Sequence, residues 1–384
     1  MMQFEVFVIS IKISIIPAYI YPIAKQIALK AGVFYSQYPI VQCGLFIRRN
    51  DDGFKGKTPY ADATEQKLYI KMRLIESKYR LSPTGEEMFT MNKCNLCPRE
   101  CGVDRSTQAG FCQGSHRCKV ARAALHFWEE PCISGTRGSG TIFFSGCNLR
   151  CCYCQNYMIS SAGQGQEISS ERLAEIYLEL QEQGAHNINL VTATPYLPQV
   201  LKALDSVKSK LNIPVIYNSS GYEKVEIIKA LQGYIDVYLP DFKYFDNQLA
   251  WKYSTAPDYF ETAAAAIEEM ITQTGGMRFD EDGLIHKGVI IRHLVLPGAR
   301  RDSVAILRWI SENLPFDSYW LSLMIQYTPV YMSPEHPEIN RRVTSFEYDS
   351  VVEEARRLGL NNTYVQDRSS AGREYTPLFD LAGV

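Results

Sequence analysis

Cys147-Asn-Leu-Arg-Cys151-Cys-Tyr-Cys154 stands just after an apolar run, Thr141-Ile-Phe-Phe-Ser145, and sets three cysteines at Cys-x3-Cys-x2-Cys spacing on one short loop. Three such thiolates can hold three irons of a cubic iron–sulfur cluster, which ordinarily takes four cysteine ligands. The fourth iron then keeps an open position, and an open metal position marks chemistry rather than scaffolding. A zinc knuckle is the competing reading. Zinc sites, however, usually come as paired cysteine units with a distant second pair.

The downstream sequence says what kind of scaffold carries this loop. From Gly140 onward, short β-branched or aromatic runs alternate with amphipathic stretches. Strands are expected at 140–145, 188–194, 214–218, 235–241, 289–297 and 320–327. Helices are expected at 170–182, 197–210, 224–231, 259–272, 303–312 and 345–358, with Ser169-Ser170 and Asp302-Ser303 as helix starts. Six strand–helix units in strict alternation imply parallel strands joined by right-handed crossovers. The expected fold is α/β: an open, partial (β/α)6 TIM-like barrel with an N-terminal cysteine-rich metal-binding segment. Barrels of this kind place their chemistry at the C-terminal ends of the strands. The chain then divides into an extension (1–90), a cysteine-rich segment and lead-in (91–139), the barrel (140–366) and a C-terminal tail (367–384). Residues 360–384 read as a short terminal strand followed by that polar tail.

A length of 384 residues with 46% apolar content suits one large soluble domain with a full core. The net charge of −2 gives no reason to expect nucleic acid or an anionic membrane as partner. All eleven cysteines lie between Cys43 and Cys154. Disulfide frameworks spread cysteines over the fold that they staple, so this clustering points to metal ligation in a reducing compartment, the cytoplasm. The first 24 residues are apolar enough to raise a membrane span. Glu5 and Lys12 interrupt them, a central lysine costs about 2.5–3.5 kcal/mol on insertion, and Pro17 and Pro22 break a helix. The start also lacks the basic region of a signal peptide. Residues 1–87 carry no readable motif and are expected to be dispensable, with Met88 and Met91 as alternative starts.

A second set, Cys94-Asn-Leu-Cys97-Pro-Arg-Glu-Cys101 with Cys112, gives Cys-x2-Cys-x3-Cys-x10-Cys. Four thiolates at this spacing can close a zinc site or hold a complete iron–sulfur cluster, and spacing does not choose between them. With no open position, the set would be structural or electron-transferring. Cys118 is a spare that could replace Cys112, while Cys43, Cys132 and Cys152 read as buried thiols. Gly135-Thr-Arg-Gly138-Ser-Gly140 has the look of a phosphate loop but precedes its strand, whereas a dinucleotide loop follows one.

The Cys147–Cys154 spacing, with Tyr153 just before the last cysteine, resembles the radical S-adenosylmethionine (SAM) enzymes. In those enzymes the free iron chelates SAM, and reduction of its sulfonium releases a 5′-deoxyadenosyl radical. The runs beginning Cys94-Asn-Leu-Cys-Pro-Arg-Glu-Cys, then Ala123-Ala-Leu-His-Phe-Trp128-Glu-Glu-Pro131, then Phe143-Phe-Ser-Gly-Cys147, resemble the pyruvate formate-lyase activating-enzyme-like branch over about Cys94 to Gln366. The resemblance implies a [4Fe–4S] cluster on Cys147, Cys151 and Cys154, with SAM across the strand ends. Leu239-Pro-Asp241-Phe-Lys243 places Asp241 and Lys243 on one side of the chain, and the resemblance makes them border SAM. It also implies SAM contacts from Tyr153, from Asn218 and Ser219, and from His293, for which a satisfied core histidine is the competing reading. The Gly-Gly-Glu-Pro-like run of many relatives is replaced here by Val191-Thr192-Ala193-Thr194-Pro195-Tyr196. Thr192 and backbone carbonyls would therefore accept from the SAM ammonium, more weakly than an ionised Glu. Catalytic groups beyond the cluster ligands are not expected.

The leading expectation is a radical SAM, oxidoreductase-like enzyme that abstracts hydrogen from an unassigned substrate, with activation of a glycyl-radical enzyme as one class. It implies a one-electron reductant such as a flavodoxin or ferredoxin as partner. The competing functions are an iron–sulfur protein for electron transfer or assembly that never binds SAM, and a zinc-bound interaction module on an inert barrel. Asp241, Lys243 and His293 have no purpose in a pure electron carrier, and metal analysis of anaerobically purified protein separates the zinc module.

Overall fold

The computed structural model describes residues 92–367 and 376–384. The expectations for residues 1–87, for Cys43 and for the apolar start lie outside the described residues. Among the described residues ten strands form one sheet: β1 (Cys118–His126), β2 (Ser139–Phe144), β3 (Gln166–Ile168), β4 (Ile188–Val191), β5 (Val215–Ser219), β6 (Val237–Pro240), β7 (Arg278–Phe279), β8 (Ile285–Leu294), β9 (Trp320–Met324) and β10 (Thr363–Val365). Their spatial order is β10-β9-β8-β6-β5-β4-β2-β1-β3, with β7 pairing β8. From β2 to β10 every neighbouring pair on this path is parallel. Successive crossovers step the same way along the sheet, and right-handed crossovers in one direction put the connecting helices on one face. All six expected strands are present, shifted by a few residues at their ends. They read as near-continuous apolar runs because strands of a parallel sheet are buried on both faces.

The connecting helices are α1 (Ser170–Glu182), α2 (Leu197–Val207), α3 (Val225–Ala230), α4 (Asn247–Ser254), α5 (Tyr259–Thr274), α6 (Arg300–Asn313) and α7 (Ser345–Arg357). Each longer helix buries one stripe. In α1 this is Leu173, Ile176, Tyr177 and Leu180, the three-and-four spacing of a core face. Ser169 caps α1 by accepting a hydrogen bond from the Arg172 N–H. In α7 Thr344 and Glu347 form a reciprocal capping box, and Glu347 also accepts from the Gly298 N–H at 2.7 Å and from Arg341. Thr344→Ala removes a single cap of two and should lower unfolding stability by about 1 kcal/mol, read from denaturant midpoints at unchanged slope.

Two segments depart from expectation. Cys118–His126 lies in the stretch read as a lead-in, yet it is a strand, antiparallel to β2 and β3. The tail read as polar returns to the sheet: Ala123 N–H donates to the Ala382 carbonyl, Leu381 N–H donates to the Ala121 carbonyl, and Phe379 packs edge-on against Phe143. No helix among the described residues is long and apolar enough to cross a membrane.

Candidate active site

The C-terminal ends of β2, β4, β5, β6, β8 and β9 border one cavity of about 240 Å³. The cysteine loop leaves β2 through Gly146, which takes φ 88° and sits where a Cβ would overlap the Cys112 carbonyl oxygen. Only glycine meets both demands. Cys147, Cys151 and Cys154 then line the cavity together. Each sulfur has a protein donor: Leu149 N–H to Cys147 at 3.4 Å and the Ser254 hydroxyl to Cys151 at 3.0 Å, with the Ser160 hydroxyl 3.3 Å from Cys154. Cys152 faces away; its N–H donates to the Tyr253 carbonyl and its carbonyl accepts from Met332 N–H. Arg99 ties the loop down by donating to the carbonyls of Asn148 and Thr255.

Burial pushes the Cys147 and Cys151 thiols up and the Cys154 thiol up to about 11. Bare thiolates here would be costly; bound iron would take the place of the proton. Among the described residues no Cys, His, Asp and Glu groups stand at single-ion spacing. Thiolates about 2.3 Å from one zinc sit only about 3.8 Å apart, whereas in a cubic cluster each thiolate takes its own iron. The donor set, the sulfur-directed donors and the room fit a cluster.

The opposite wall is a buried polar network. Lys243 pairs with Asp241 at 2.6 Å, and Arg292 pairs with the other Asp241 oxygen at 3.0 Å and with Glu129 at 3.3 Å. Arg292 also donates to Asn218 Oδ1 at 2.6 Å, while Asn218 and Asn189 both donate to Glu129. Burial pushes Asp241 up, but Arg292 and Lys243 outweigh it and hold the carboxyl below its ordinary value. Burial likewise opposes the Lys243 charge, and Asp241 outweighs it, so the ammonium is held. For Glu129 burial wins over Arg292 and the carboxyl is raised.

The sequence-selected residues divide. Asn218, Ser219, Asp241, Lys243, Thr192 and Tyr153 all border the cavity. Thr192 does so in a left-handed conformation, φ 60°, which is strained for a β-branched residue; such strain collects at functional sites. The Tyr153 hydroxyl turns into the core, 2.5 Å from that of Tyr244. His293 is corrected. It lies outside the cavity, 1% exposed, with Nδ1 2.7 Å from the Phe242 carbonyl and Nε2 2.9 Å from the Ser303 hydroxyl. Burial pushes its pKa down to about 4. Its neighbour Arg292 faces the cavity instead, because successive residues of a strand point to opposite faces.

Cys94, Cys97, Cys101 and Cys112 also converge, around a gap of only about 10 Å³. Arg105, 1% exposed, donates to Cys112 Sγ at 3.5 Å and to the Pro195 carbonyl at 2.7 Å. Cys118 lies apart, fully buried in β1. The set has the donors for a metal.

Comparison with known proteins bears on the family. Residues 141–280 match the model of the radical SAM superfamily. An uncharacterized protein of Methanocaldococcus jannaschii, MJ0674, is 32% identical over 306 residues, covering 77% of this chain and 82% of the relative. Streptococcus suis SuiB bound to S-adenosylmethionine is 12% identical, with 58% of this chain and 48% of that one aligned at a TM-score of 0.39. The chain thus spans about half the length of SuiB. The FeFe-hydrogenase maturase HydG from Carboxydothermus hydrogenoformans is 12% identical, over 81% of this chain and 68% of that one, at a TM-score of 0.43. The chain belongs to the radical SAM superfamily.

Proposed function

We propose that Cys147, Cys151 and Cys154 hold a [4Fe–4S] cluster, and that SAM binds in the cavity beside them and is cleaved reductively. The observation that carries this reading is that three thiols and the Asp241–Lys243–Arg292–Asn218 network share one cavity. Bound there, a reduced cluster would supply the electron for reductive cleavage of the SAM sulfonium bond. The chain's own residues bind and orient. Lys243 offers a cation to the SAM carboxylate; Asp241, Asn218 and Ser219 offer acceptors to its positive and hydroxyl groups. Thr192 and the adjacent backbone take the ammonium, in place of the carboxylate that many relatives use. Arg292 holds Asp241 and Asn218 in place and keeps the wall charged and dry.

The one-directional strand order, with strand ends meeting at a single cavity, supports a partial (β/α)6 barrel over 140–366, with 91–139 as a cysteine-rich segment. The second cysteine set supports a further metal, zinc or iron–sulfur, by its donors alone, and no step runs through it. The sequence runs quoted above favour the pyruvate formate-lyase activating-enzyme-like branch, with a flavodoxin or ferredoxin as reductant and a glycyl-radical protein as one substrate class. The test is direct. Anaerobic, iron-loaded protein given SAM and a strong one-electron reductant should form 5′-deoxyadenosine and methionine. No 5′-deoxyadenosine from fully loaded protein would leave an electron carrier as the better reading.

A further inference from the structure

A second cavity, of about 330 Å³, adjoins the first; Arg292, Met324 and Gln326 border both. Its remaining wall is the segment after β1, Phe127-Trp128-Glu129-Glu130-Pro131, facing Ser322, Tyr364 and Gln366. Nothing assigned to SAM uses Trp128 or Glu130. Glu130 is 9% exposed, and its Oε2 is buried with no hydrogen-bond partner, although Ser322 stands beside the carboxyl. An unsatisfied buried acceptor costs about 1–3 kcal/mol, and more when charged.

The two cavities share the charged group Arg292. Glu129, Glu130 and Asp241 are three carboxylates, and Arg292 and Lys243 are two cations. Asp241 has both cations within 3.0 Å and Glu129 has Arg292 at 3.3 Å. Glu130, whose Oε2 has no hydrogen-bond partner, lines the second cavity, where a bound cation would meet it. Phe127 and Trp128 border that cavity while 49% and 59% exposed. Aromatic faces beside a carboxylate are the combination that binds organic cations.

We propose that the second cavity is the substrate site and takes an organic cation, a protonated amine or a guanidinium, with Glu130 as its counter-ion and Phe127 and Trp128 along its carbon chain. The proposal rests on the first cavity being the SAM site, since the shared Arg292–Met324–Gln326 wall brings the bound chain beside the radical. Its test needs neither SAM nor turnover. Binding of n-butylamine and n-butylguanidine to the full chain is compared with that of n-pentanol and n-butyrate by ligand-observed NMR. Both cations should bind at least tenfold more tightly than the neutral or anionic probe. Glu130→Gln should abolish that preference, and Trp128→Ala, on the exposed rim, should weaken cation binding severalfold without loss of fold. Equal binding of all four probes, an unchanged cation preference in folded Glu130→Gln protein, or unchanged cation affinity in folded Trp128→Ala protein, overturns the proposal. A chain that binds the amines but fails to cleave SAM sinks the SAM reading alone. One that cleaves SAM but ignores the amines sinks this one alone.

Discussion

Cys147→Ala, Cys151→Ala and Cys154→Ala should each yield colourless protein with iron at that site reduced to background and no 5′-deoxyadenosine, whereas Cys152→Ala should stay brown and active. The three sulfurs share one cavity and each accepts or adjoins a protein donor. Those donors stabilise negative charge on sulfur, which is also how a protein tunes such a cluster. Cys152 stands between two ligands in sequence, but its backbone is fixed on both sides, by Tyr253 and Met332, and it does not reach the cavity. Anaerobic iron and sulfide analysis with product chromatography decides the matter. An essential Cys152 beside a dispensable Cys151 would mean that the loop is held in another register.

Much of this site is legible in the sequence because its information is local. The cysteine spacing is contained in eight residues, and Asp241 and Lys243 stand two apart at a strand end. The strands of the parallel path announce themselves as apolar runs, and helices such as Ser170–Glu182 by cap and stripe. What escapes reading is set by contacts distant in sequence. Cys118–His126 carries Lys119, Arg122 and three alanines, a weak strand pattern. It is a strand because β2, β3 and residues 381–382 all pair with it. Glu129 follows it with no periodic signal, and only the fold brings it to Arg292 across 163 residues. In Ile290-Ile-Arg-His-Leu294 the two polar residues are adjacent and so point to opposite faces, and alternation cannot say which of them faces inward. The histidine draws attention by its chemistry, yet Ser303 of α6 and the Phe242 carbonyl claim its ring.

Removing the cations of the network should separate SAM binding from cluster binding. Lys243→Ala touches no thiolate, so the cluster should load normally while SAM binds about ten- to a hundred-fold more weakly, the loss of one desolvated charge-assisted contact worth on the order of 1.5–3 kcal/mol. Arg292→Leu should do more, because it strands the buried carboxylates of Asp241 and Glu129 at once. Breaking a buried pair by removing one partner costs about 3–5 kcal/mol. The sign of its pH dependence follows from the balance at each carboxyl. In the wild type Arg292 and Lys243 hold Asp241 below its ordinary value. Its contribution is therefore present above the ordinary carboxyl range and lost as pH falls through the depressed value. Without Arg292 burial prevails, and Glu129, already raised in the wild type, is raised further. A carboxyl raised on folding stabilises below its unfolded pKa and loses that contribution as pH rises. The Arg292→Leu penalty should accordingly be larger at about pH 7.5 than at about pH 5. Chemical unfolding of cluster-free protein at both values measures it, and a penalty independent of pH would mean that solvent, not Arg292, satisfies these carboxylates.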